Sequence, residues 1–203
     1  MMNKKYFTRF TCLSLLVAVA LVSGGSRLVA EEQEDVTITA NVEESITFSV
    51  SDENVEFGTL TGNNERYATT DGGSDTETTA HTFTVGTNAE GGYTVAVQGS
   101  SLSLDEGDHV IDAIATEPAA SSPGTEQFGL AVIDDDEGGS GSVAANYDHS
   151  GDEYFFEDDS TVASSDGVSD DHTFDVAYLA NIESLTPAGN YSTTLNYIAT
   201  AQF

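Results

Sequence analysis

Tryptophan is absent from this sequence, and basic residues and thiols nearly so: five Lys and Arg stand against thirty-five Asp and Glu, and Cys12 is the only cysteine. Lys4, Lys5, Arg9, Arg27 and Cys12 all fall within the first thirty positions, so beyond Ala30 the only cation is Arg66 and no thiol remains. That excludes disulfides, thiolate metal sites and a cysteine nucleophile from everything after Ala30. Without the first thirty residues the formal charge moves from −30 to −34, one arginine against thirty-five acids. Such a surface repels phosphate backbones and anionic headgroups alike, which disfavours nucleic acid and direct membrane binding. Self-repulsion at this density weakens the compact state at low ionic strength and points to a salty or divalent-rich environment.

Long apolar runs are also scarce. The longest, Cys12 to Val22, is eleven residues interrupted only by Ser14, well short of the ~20 that a bilayer-spanning helix needs. Lys4, Lys5 and Arg9 precede it and the small, weakly polar Ser23 to Ala30 follows it, which is the order of a cleavable secretory signal. Leu28-Val29-Ala30, ahead of the acidic Glu31 to Asp35, is the expected cut, with Gly24 as the alternative. Cys12 precedes the apolar stretch and Arg9-Phe10-Thr11 is no lipobox, so a lipid anchor is not expected. The assignment is residues 1–30 as a signal-peptide helix and 31–203 as one domain, since 173 residues suffice for one core and not comfortably for two.

What is present is alternation with a period of two. Val36, Ile38, Ala40, Val42; Ile46, Phe48, Val50; Phe83, Val85; Tyr93, Val95, Val97; Phe128, Leu130, Val132; Phe174, Val176, Tyr178, Ala180; and Tyr191 through Phe203 all follow it. β-Branched and aromatic residues dominate these stretches, and no helical stripe occurs after residue 30. About nine or ten strands punctuated by Gly, Asn, Asp and Ser clusters predict an all-β fold, a single antiparallel β-sandwich of Greek-key or jelly-roll type. Three polar stretches, Thr61 to Thr79, Asp134 to Glu153 and Ser164 to Asp171, read as solvated insertions.

Val55-Glu56-Phe57-Gly58-Thr59-Leu60, Gly91-Gly92-Tyr93-Thr94-Val95-Ala96-Val97 and Pro187-Ala188-Gly189-Asn190-Tyr191 through Ala199 occur in that order. Together they resemble the WxL-type cell-surface domains of bacteria and, more loosely, secreted pilin-like or spore-coat-like β-sandwiches. Tyr93-Thr94-Val95 and Tyr197-Ile198-Ala199 stand where that family carries its two Trp-x-Leu triplets. The resemblance implies attachment to the cell wall or to a partner through Tyr93, Val95, Tyr197 and Ala199. The missing tryptophans put the same wall contacts in doubt, and ordinary core packing accounts for both tyrosines equally well.

Catalytic chemistry is thin. No G-x-S-x-G elbow occurs, and Gly139-Ser140-Gly141 in an acidic stretch reads as a flexible linker. His81, His109, His149 and His172 lack the H-E-x-x-H or H-x-x-E-H spacing of zinc enzymes. No catalytic residue and no cofactor is assigned. Calcium is the ion the carboxylate clusters suit, with Asp134, Asp136, Asp158 and Asp159 as candidates, although no EF-hand loop is present and a solvated acidic surface explains them too. The expectation is a secreted, non-enzymatic protein of the cell surface whose partners are other surface proteins, copies of itself or a cell-wall polymer. It is held noncovalently, since the sequence ends at Phe203 with no LPxTG-like or basic tail. The alternatives are a calcium- or carbohydrate-binding surface module, a secreted hydrolase using a carboxylate pair, or a small outer-membrane barrel. The N-terminal alternation, Val36 to Val42, suggests either a strand of the domain's own sheet or one that completes the sheet of a neighbour.

Overall fold

A computed structural model describes residues 32–105, 108–135 and 139–203. The signal-peptide stretch with its expected helix, and Asp136, lie outside the described residues. The chain divides into two units, one up to Asn41 and a compact one from Val42 to Phe203. The described part of the first, residues 32–41, is exposed and has no regular secondary structure.

The second unit is all β, with no helix among the described residues. Its strands are β1 (Ile46–Val50), β2 (Arg66–Tyr67), β3 (His81–Thr87), β4 (Tyr93–Gln98), β5 (Ser103–Leu104), β6 (Ala119–Ala120), β7 (Gln127–Asp134), β8 (Ser142–Val143), β9 (Glu153–Tyr154), β10 (Ser160–Ser165), β11 (Ser169–Asn181), β12 (Tyr191–Ser192) and β13 (Asn196–Ala201). One sheet runs β1-β3-β11-β2, with β7 also paired to β11; the other runs β13-β4-β10-β8, and every pairing between strands is antiparallel. From β3 onward the longer strands alternate between the two sheets, which is how a Greek-key sandwich closes its core. Both sheets are open, so the barrel alternative is corrected to a sandwich: β1 and β13 end their sheets instead of joining a ring.

Period-two patterning does the work. On β4, Tyr93, Val95 and Val97 are fully buried, while Thr94, Ala96 and Gln98 between them are only partly covered. On β3 and β11, Phe83 and Phe174 are register partners whose rings stack at 5.0 Å, and Val85 and Val176 flank them in the same core. A second apolar cluster, including Tyr67, Ala131, Tyr154, Ala177 and Leu179, covers the other face of β7 and β11. Those strands are therefore buried on both faces and lose the simple alternation.

Several expectations need correction. Val36–Val42 forms no strand, and the first ladder begins at Ile46. Among the described residues the strands number thirteen, six of them only two residues long. β10 was hidden by its serines and by a register shift between Thr161 and Ala163 that breaks the period. Thr61 to Thr79 is no solvated insertion, because it contains β2 and buries Tyr67 and Ala68. Asp134 to Glu153 contains β8 and the buried Tyr147, and Ser164 to Asp171 is a tight turn that carries the chain from β10 in one sheet to β11 in the other, with only three residues outside strands.

Candidate functional site

Where β1 ends, its chain continues as Glu53–Leu60 along the rim of the sandwich, and Thr186–Leu195 runs into β13 along the other rim. Between them lies a groove of about 900 Å³ floored by Leu102, Phe128, Tyr178 and Ile182. Its walls come from the first and third stretches that carry the family resemblance, although that resemblance singled out other residues. Glu53–Leu60 makes one backbone pairing among the described residues, the mutual bonds of Glu56 and Thr69. Thr193–Leu195 falls between β12 and β13 in neither ladder. The Thr193 hydroxyl donates to the Ser100 carbonyl at 2.6 Å.

Arg66 fixes the first wall. Its Nε donates to the Phe57 carbonyl at 3.0 Å and its Nη2 to the Gly72 carbonyl at 3.0 Å, while Nη1 pairs with Asp75 Oδ1 at 2.7 Å. The planar guanidinium serves three acceptors from three separate nitrogens, a spread that the single nitrogen of an ammonium cannot reproduce. Gly73, at φ 83°, permits the close approach, since a Cβ there would lie 2.0 Å from the Phe57 oxygen.

The structure brings the two triplets together and turns Tyr93, Val95, Tyr197 and Ala199 toward the core, while Ile198 is exposed. β4 and β13 are neighbours, with Val95 opposite Ala199 and Tyr197 opposite Val97. Tyr93 and Val95 are fully buried and have no surface to offer a polymer. Tyr197 packs on Phe83 and His81 and bonds through its hydroxyl to Tyr178 at 2.6 Å. Ala199 is half-buried against the same core. Direct wall contact through Tyr93 and Val95 is thus corrected to core packing. Burial pushes the Tyr93 hydroxyl up to about 12, with the Asp134 charge adding to it.

The calcium candidates are dispersed. Asp134 meets Nε2 of His172 at 2.9 Å, near the Tyr93 end of β4. Asp158 accepts from the Gly99 amide at 2.8 Å and Asp159 from Gln98 Nε2 at 2.7 Å, at the opposite end of that strand. Five residues of extended strand separate Tyr93 from Gln98, roughly 17 Å, so these carboxylates serve two places and not one coordination shell.

Histidine meets carboxylate repeatedly. His109 lies 2.8 Å from Glu126, and His149 Nε2 lies 2.6 Å from Glu77 and 3.9 Å from Asp152. Glu77, His149 and Asp152 are a grouping of mixed imidazole and carboxylate donors that sequence spacing could not reveal, seventy-two residues separating the first two. Three of the four histidines face a carboxylate in this way, so the cluster repeats a contact found elsewhere in the fold.

In the N-terminal unit, Val36 is 83 % exposed and Ile38 88 %; at the edge of the compact unit Val42 is 81 % exposed. Full burial of such a side chain contributes about 1.5–3 kcal/mol. No protein family, curated protein or solved structure matches the chain.

Proposed function

We propose that this is a secreted, non-enzymatic protein of the cell surface, a structural or interaction module that assembles noncovalently with copies of itself or with other surface proteins. The observation that carries the reading is the exposed alternation at Val36, Ile38 and Val42, three β-branched side chains left in water. Isolated exposed apolar residues need no explanation, but a period-two series of them gives one apolar face to any strand the segment forms, which is how interaction surfaces are built. The groove between the rims is a complementary feature, and its walls are the stretches that resemble the WxL-type domain. The described histidines and the candidate aspartates are engaged in hydrogen bonds or ion pairs that tie the fold together, which favours a structural role over catalysis.

Fractionation of the source cells combined with electron microscopy of the purified protein tests the reading. Recovery with the cell surface, release by salt or chaotrope without proteolysis, and ordered assemblies in micrographs are expected. A protein found only in the medium, monomeric at every concentration, would contradict it.

A further inference from the structure

The segment Val36-Thr37-Ile38-Thr39-Ala40-Asn41-Val42 places Val, Ile, Ala and Val on one side of an extended chain and Thr, Thr and Asn on the other. It carries no charge, although acids flank it at Asp35 and Glu43. The groove asks for an occupant of this kind. Its floor is apolar, its rim carries Glu53 and Glu56, and on its Glu53–Leu60 wall the main chain makes one backbone pairing among the described residues, at Glu56, beside the Phe57 carbonyl that accepts from Arg66. An exposed row of N–H and C=O groups templates strand addition, in which main-chain bonds supply affinity and alternate side chains fill pockets.

We propose that the groove between Glu53–Leu60 and Thr186–Leu195 receives Val36–Val42 of a second copy of this chain as an added strand. Val36, Ile38, Ala40 and Val42 point to the floor formed by Leu102, Phe128, Tyr178 and Ile182, and Thr37, Thr39 and Asn41 face water. Charge selects the occupant, because a neutral strand escapes the repulsion that any acidic surface of another copy meets at Glu53 and Glu56. Reach selects the neighbour over the same molecule. Four Cα steps from Val42 to Ile46 extend at most about 14 Å. The ladder from Ile46 to Ser51, whose amide still bonds to Thr82, already runs about 17 Å, and the groove wall starts beyond it. A chain whose strand cannot fill its own groove but fits its neighbour's propagates head to tail.

This inference rests on the self-assembling reading above and deepens it. The test uses the exported chain from Glu31 onward, which carries no native thiol. Ile38→Cys in one preparation is mixed with Leu60→Cys in another and oxidised. A covalent heterodimer is expected, and it should be lost when Ile38→Cys is replaced by Thr37→Cys on the outward side. In parallel, Ile38→Asp is expected to weaken self-association at least tenfold while Thr39→Asp leaves it unchanged, both variants keeping the wild-type melting temperature. Equal effects of Ile38→Asp and Thr39→Asp, or a disulfide formed within a single chain carrying both cysteines, would overturn the proposal. Assemblies that persist with Ile38→Asp sink strand addition and leave the surface-assembly reading standing. A wild-type protein that is monomeric throughout and recovered only from the medium removes both.

Discussion

The hydroxyls of Tyr178 and Tyr197 meet at 2.6 Å between the two sheets, and Nε2 of His81 lies 2.9 Å from the same Tyr178 oxygen. Tyr178 is thus the middle of a three-member chain that ties β3 and β11 to β13. Removing an end of such a chain costs one net hydrogen bond, about 0.5–1.5 kcal/mol, whereas removing the middle strands two buried polar groups at about 1–3 kcal/mol each. Tyr178→Phe is therefore expected to lower the melting temperature more than Tyr197→Phe. For a domain of this size the difference is about 2–4 °C per kcal/mol, measured by calorimetry.

His81 gives this chain of groups an acid limit. Burial disfavours the imidazolium and lowers its pKa below 6.5, against smaller raising effects from the Thr82 carbonyl and the Asp52 charge. A folded-state value below the unfolded one means that the unfolded chain takes up the proton first. The stabilisation is complete above about pH 6.5 and is lost as pH falls toward the folded-state value. Between pH 7 and 5 the wild type should lose stability more steeply than His81→Gln. Parallel slopes in denaturant titrations at the two pH values would refute the assignment.

Tyrosine sets the opposite limit. Burial pushes the hydroxyls of Tyr67 and Tyr93 up to about 12, those of Tyr154 and Tyr178 higher still, and that of Tyr197 well above its usual value. Here the folded values lie above the unfolded value of 10.0, so stability is intact below pH 10 and falls as pH rises toward 12. Phenolate absorbance should therefore appear late, in step with loss of circular dichroism. Early ionisation of several tyrosines in a still-folded protein would contradict their burial.

The alternating strands were legible wherever one face alone is covered. Tyr93, Val95 and Val97, and Phe48 and Val50, could be placed from a period of two because their intervening residues remain less buried. Legibility failed where the outer face is covered as well, as at Ala177 and Leu179, since burial on both sides erases alternation. Val36–Val42 has the pattern of a strand, but pattern specifies which face is apolar and not which edge receives it, and no ladder forms there. The groove was invisible for a different reason. It depends on Thr186–Leu195 and Glu53–Leu60 meeting across the sandwich, a long-range relation that local chemistry does not encode.

Gly139-Ser140-Gly141 illustrates a residue type read correctly for the wrong reason. The glycines suggested a flexible linker, yet a Cβ on Gly141 would lie 2.6 Å from the Tyr93 hydroxyl and 2.7 Å from the Phe174 ring. The backbone approaches the core too closely for a side chain, and overpacking of this kind costs about 1–3 kcal/mol. Gly141→Ala should destabilise by that amount. Gly167→Ala, whose Cβ would have its nearest neighbour at 3.9 Å, should be close to neutral. Equal melting temperatures for the two variants would restore the linker reading.

Arg66 tests whether one cation holds the first wall of the groove. Two of its three contacts are to main-chain carbonyls, Phe57 and Gly72, and the third is to Asp75, whose side chain is two-thirds exposed. Exposed ion pairs contribute about 0–1 kcal/mol, whereas a charged donor to a carbonyl contributes about 1.5–3 kcal/mol. The wall should therefore depend on the forked geometry more than on the charge. Arg66→Lys, which keeps the charge but cannot serve both carbonyls, is expected to cost about 2–4 kcal/mol. Asp75→Asn should cost less than about 1 kcal/mol. Hydrogen exchange localises the effect: in Arg66→Lys the amides of Tyr67 and Ser74, which bond to each other's carbonyls across the same turn, should lose protection before those of β3 and β11. If Asp75→Asn proved as damaging as Arg66→Lys, the wall would be held by charge and the role of the two carbonyls would be wrong.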